Sequence, residues 1–74
     1  MGSTKKNLAR MRRNLQDWRI EDLQAIARAE GIEWRHKGTS HCIFVRRDGA
    51  TLPVPAKRPI KPVYIKLFLE FLGE

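Results

Sequence analysis

Ile32-Glu33-Trp34-Arg35-His36, Lys37-Gly38-Thr39, Ser40-His41-Cys42-Ile43-Phe44-Val45-Arg46, Arg47-Asp48-Gly49 and Ala50-Thr51-Leu52-Pro53-Val54 follow one another without a break. The first, third and fifth pieces are rich in β-branched and aromatic residues, and the two between them each carry a turn glycine. The pattern predicts an antiparallel meander with strands at 32–36, 40–46 and 50–54. Arg47-Asp48-Gly49 is the strongest hairpin signal, because Asp-Gly tolerates the positive φ that short turns demand. Pro53 has no N–H to offer a neighbouring strand, so the third strand is expected at an edge or to end early.

Helical periodicity flanks the meander. Before it, Ile20, Leu23 and Ile26/Ala27 form an apolar stripe, which predicts a helix over 19–30. Asp17 is expected to cap it, Glu21 and Asp22 suit its positive end, and Gly31 is a ready left-handed stop. After the meander, Pro55, Pro59 and Pro62 mark a loop that also holds Lys57, Arg58 and Lys61. Pro62 fits the first turn of a closing helix over 62–72. That helix is apolar nearly all round, so it should be buried on more than one side, by the sheet with or without a partner. Upstream, Leu8, Met11 and Leu15 have helical spacing among arginines, which fits either a short basic helix or an arm that frays in isolation. The chain therefore divides into a basic N-terminal segment, 1–16, and a folded domain, 17–74.

The expected fold class is α+β, in the order α-β-β-β-α. A three-stranded antiparallel sheet should carry both helices on one face and leave the other open. This resembles the arrangement of double-stranded-RNA-binding domains.

With 74 residues there is little core to spare; a chain of this size buries roughly 60–65% of its unfolded surface. Chemistry should therefore sit on an exposed face and use one or two side chains. Fifteen basic residues against eight acidic give a net charge of +7 and a pI near 10.4. A polyanion is the default partner, nucleic acid first. Cys42 is the single cysteine, so no intramolecular disulfide forms, and no spacing of metal ligands is present. No cofactor or metal is expected. The basic start is not followed by an apolar signal region, and 63–72 is too short and too charged to span a bilayer. A cytoplasmic location with no membrane attachment is the plain expectation.

The chemistry-bearing candidate is His41, an imidazole able to exchange protons near neutral pH at the point where a turn enters a strand. Cations close to it in sequence can hold a phosphodiester. RNA supplies its own nucleophile, the 2′-hydroxyl, so one acid/base residue with cationic support suffices for cleavage. The candidates for RNA binding are Arg35, Lys37, Ser40, Arg46, Lys57 and Arg58. A surface histidine that merely caps a turn is the structural alternative. Ser40 has no carboxylate placed to build a hydrolase triad, and its expected job is to shape the turn or touch phosphate. Trp34 reads as a half-buried strand residue or a base-stacking platform; Tyr64, Phe68 and Phe71 read as core, and Cys42 as a small buried hydrophobe.

Taken in order, Gly31-Ile32-Glu33-Trp34-Arg35, Gly38-Thr39-Ser40-His41, Leu52-Pro53-Val54-Pro55 and Arg58-Pro59-Ile60-Lys61-Pro62-Val63-Tyr64-Ile65 resemble the HicA family. HicA proteins are the toxin half of bacterial HicA–HicB toxin–antitoxin pairs, and the likeness runs from about Asp17 to the end. It implies an mRNA interferase, a metal-independent endoribonuclease on a double-stranded-RNA-binding-like fold. His41 would be the catalytic histidine of the Gly-Ser-His motif, and a HicB antitoxin, acidic where it covers that histidine, would be the partner. The chain departs from the pattern at two points. Thr39 lengthens the turn between Gly38 and Ser40, and Lys57 stands where many relatives have a second histidine. Two other classes of function remain open on the residues alone. One is a non-catalytic RNA-binding module; the other is a protein-interaction subunit docking through its closing helix.

Overall fold

Burial alternates residue by residue along the central strand: Cys42 and Phe44 are fully buried, while His41 and Ile43 are exposed. That period of two fixes one wet and one dry face, and the rest of the chain is arranged on the dry one. The computed structural model describes residues 2–36 and 40–73; the expected turn Lys37-Gly38-Thr39 lies outside the described residues.

The elements are α1 (Gly2–Arg13), α2 (Ile20–Ala29), β1 (Glu33–Arg35), β2 (His41–Val45), β3 (Thr51–Pro55) and α3 (Pro62–Phe71). The three strands form an antiparallel sheet in the order β1-β2-β3. Trp34 is opposite Phe44 and Arg35 opposite Ile43; on the other side His41 pairs with Pro55 and Ile43 with Pro53. β3 is an edge strand, where Pro53 withholds no ladder bond from a further neighbour. Arg46 N–H donates to the Ala50 carbonyl (2.8 Å) and Gly49 N–H to that of Arg46 (3.0 Å), closing the β2–β3 hairpin. Gly49 takes φ 93°, the left-handed region that the Asp-Gly pair announces.

The dry face meets the helices in one core. Phe44 stacks at a tilt between Trp34 (6.3 Å) and Phe68 (5.1 Å), joining β1, β2 and α3 through aromatic rings. Leu23 and Ile26 of α2, Val54 of β3 and Ile65 of α3 complete its centre. The basic N-terminal segment joins the same core: Leu8 and Met11 of α1 are buried, and Leu15 packs against the cluster.

One expectation is corrected. Asp17 does not cap α2; it sits in the preceding turn at φ 65°, and Arg19 occupies the cap position. The Asp22 carboxylate reaches back to accept from Arg19 N–H (3.0 Å), which satisfies one of the orphan donors of that helix end. The closing helix is buried on more than one side, as its composition implies. Ile65, Phe68, Leu69 and Phe71 are buried and α3 touches both α1 and β3, but Val63 and Leu67 are exposed. Of the two forms left open for the N-terminal segment the structure has the helix, packed against α2 and α3.

Candidate nucleic-acid interface

Side chains that point away from the helices make the open face of the sheet. Its rows, read from the strand register, are His41 beside Pro55, then Arg35–Ile43–Pro53, then Glu33–Val45–Thr51. Arg35 stands diagonally across from His41, roughly 7–8 Å away by ordinary antiparallel geometry. The exposed carboxylate of this face, Glu33, lies at the other end. Charge is thus graded along the face, positive toward the imidazole.

His41 is exposed at the first position of β2. Ser40 Oγ lies 3.2 Å from its Nδ1. The hydroxyl can donate to Nδ1 when that nitrogen carries no proton and accept from it when it does. Ser40 is itself fixed, because Ala56 N–H donates to its carbonyl (2.7 Å). That bond draws the loop after β3 alongside the entry to β2, so Lys57 follows directly from a residue bonded to the His41 neighbour.

The structure therefore brings His41, Ser40, Arg35 and Lys57 to one end of the sheet. Arg58 is one residue further along the loop, where it pairs with Glu21 (3.4 Å) on the surface. The Glu21 carboxyl is held below its ordinary range, mainly by a backbone hydrogen bond and in part by the Arg58 charge. Lys37 lies outside the described residues. Arg46 is not part of the group. It starts the opposite hairpin, about 17 Å along the strand from His41, and is engaged by the fold: it forms a two-pronged ion pair with Asp48, donates to the Phe71 carbonyl (2.9 Å) and covers the Phe71 ring. Its sequence position beside a strand gave no sign of this, since Phe71 is 25 residues away.

Trp34 is half-buried on the helix side of the sheet, with the Arg28 guanidinium 5.4 Å from its ring centre. It faces away from the His41 surface. Cys42 is fully buried and its thiol is pushed up by that burial; Gln24 donates to its sulfur at 3.6 Å. Among the described residues no three His, Cys, Asp or Glu side chains gather as metal ligands, and no helix is long and apolar enough to cross a membrane.

Sequence reasoning missed a cleft beside this group. It opens between the turn at Gln16 and Asp17 and the proline-rich segment from Pro55 to Tyr64, with a volume of about 560 Å³. Its prolines and lysines were visible in sequence, but its second wall comes from a turn some 40 residues earlier. Comparison with models of protein families, with curated proteins and with solved structures gives no match.

Proposed function

We propose that the chain is a HicA-type toxin, an endoribonuclease that cuts mRNA through acid/base catalysis at His41 and is restrained by a HicB-type antitoxin. The observation that carries this reading is the placement of His41. It is exposed at the entry of the central strand, bonded to Ser40, and at the cationic end of an open sheet face. The order α2-β1-β2-β3-α3 supports the likeness to double-stranded-RNA-binding domains, with α1 as an addition. A cytoplasmic site of action follows from the same reading.

In the proposed reaction a base removes the proton of a ribose 2′-hydroxyl, and that oxygen attacks the adjacent phosphorus. The bond from phosphorus to the 5′-oxygen breaks, and an acid protonates the departing oxygen. The products are a 2′,3′-cyclic phosphate and a 5′-hydroxyl. His41 serves as one of the two proton-transfer groups and water as the other. Arg35 and Lys57 meet the charge that builds on the non-bridging oxygens, and Ser40 sets the imidazole's orientation. No second imidazole is required, at the cost of a modest rate, which a toxin tolerates because one cut silences a message.

The test is incubation of the purified protein with defined single-stranded RNA in EDTA, with the new ends mapped. Fragments ending in 2′,3′-cyclic phosphate support the reading. Salt-sensitive binding without new ends would replace it with an RNA-binding module.

A further inference from the structure

The cleft between the 16–17 turn and the proline-rich segment has the shape and chemistry of a built site. Its two walls are tied together where Ile60 N–H donates to the Trp18 carbonyl (2.8 Å). Trp18 is in turn anchored by its indole N–H, which donates to the Asn14 carbonyl (2.7 Å). Pro55, Pro59 and Pro62 stiffen the second wall by fixing φ. At about 560 Å³ the space is of the size that small-molecule sites take, roughly 300–1,000 Å³.

The lining divides into two kinds of surface. Lys57 and Lys61 supply positive charge beside Arg58, which is paired with Glu21, and Asp17 is the one carboxylate of the lining. The prolines and the half-buried Tyr64 supply flat apolar surface. Cations beside apolar faces suit a phosphodiester that carries a base, because every base has a face to stack. The location fits as well: Pro55, one of the lining residues, is the register partner of His41.

We infer that this cleft is a nucleotide subsite, which holds the base and phosphate of a single-stranded RNA residue next to the one at His41. The inference rests on the ribonuclease reading for its choice of ligand, and it adds Lys61 and Tyr64 as positioning residues. A strand crossing the open sheet face past His41 continues over Pro55 into the cleft. Tyr64 and the prolines hold its base while Lys57 and Lys61 hold its phosphate. The subsite would then place the scissile bond relative to the imidazole.

The experiment measures binding of a hexameric oligouridine with 2′-fluoro groups, which lacks the nucleophile and stays intact. Fluorescence anisotropy is recorded over a range of salt for the wild type, Lys61→Gln and Tyr64→Leu, with circular dichroism spectra matched. Tyr64→Leu keeps an apolar side chain against the core, and Lys61→Gln alters only an exposed residue. Each variant is expected to weaken binding at least about fivefold. Lys61→Gln should also flatten the slope of log K against log salt by about 0.7, the loss of one phosphate contact. Wild-type affinity and slope in both variants would overturn the subsite, even if RNA cleavage by His41 is found. These losses in a protein that cuts no RNA would leave the subsite standing and remove the ribonuclease reading. Displacement of the hexamer by heptaglutamate at equal concentration would overturn it in favour of an acidic peptide.

Discussion

Ser40 and His41 are consecutive in the chain and joined through their side chains, with Oγ 3.2 Å from Nδ1. The Ser40 carbonyl also accepts from Ala56 N–H. One residue therefore orients the imidazole with its side chain and anchors the strand entry with its backbone. The two roles separate under mutation. Ser40→Ala removes the hydroxyl and leaves the backbone bond, so it should lower the cleavage rate about two- to tenfold, the effect of one hydrogen bond, without lowering the melting temperature. Ser40→Thr keeps a hydroxyl and should recover most of that loss. A Ser40→Ala protein with wild-type kcat would remove Ser40 from the account.

At the other end of β2, Arg46 ties the hairpin turn to α3 through Asp48 and the Phe71 carbonyl. The Asp48 carboxyl is pulled down to about 2, first by its hydrogen bond from Arg46 and then by that from Ala50 N–H. A carboxyl with its folded value below its unfolded value of about 3.9 binds protons more weakly when folded. The associated stability is present above pH 4 and is lost as pH falls toward 2. Melting temperature followed over pH 2 to 5 should fall at the acid end, and Asp48→Asn should flatten that limb. An unchanged acid limb in Asp48→Asn would show that the pair contributes nothing measurable.

α3 offers a contrast between buried and exposed apolar residues. Phe71 is 9% exposed beneath the Arg46 guanidinium, whereas Val63 and Leu67 are 56% and 40% exposed. Phe71→Asp should abolish the cooperative thermal transition, because it places a carboxylate in the core of a marginally stable chain. Val63→Asp and Leu67→Asp should melt cooperatively within a few degrees of wild type. Phe71 is thus unsuited to probing a docking surface, and the exposed pair is suited to it. Cooperative melting of Phe71→Asp would contradict the packing described.

Cys42 is sealed between the sheet and α2, with its thiol shifted upward by burial. Thiolate is the reactive form, so alkylation at pH 8 should be slow in the folded protein and rapid in denaturant. Equal rates in the two conditions would mean that the β2–α2 contact opens readily.

Much of this architecture is legible in the sequence because it depends on neighbours. The alternation of His41 and Ile43 with Cys42 and Phe44 sets the faces of β2, Gly31 and Gly49 take the left-handed conformations their positions call for, and Pro62 opens α3. What sequence reasoning missed depends on a choice between neighbouring caps and on distant pairs. The Asp22 carboxylate, not Asp17, serves the start of α2, by reaching back three residues. Arg46 looks like a surface cation until Phe71 is folded against it. The site is legible by half: His41, Ser40 and Arg35 follow from strand register, while the cleft exists only because Ile60 meets Trp18. The docking of α1 was visible as spacing at Leu8 and Met11, but spacing alone does not distinguish a docked helix from an arm.

The most direct measurement compares wild type with His41→Ala on single-stranded RNA in EDTA, with circular dichroism spectra and melting temperatures matched. The account predicts that wild type cuts the RNA to 2′,3′-cyclic phosphate ends and that His41→Ala is slower by at least about 10²-fold. It also predicts that both proteins bind an uncleavable analogue within a few-fold of each other. Equal cleavage by the two proteins would contradict the assignment of catalysis to His41.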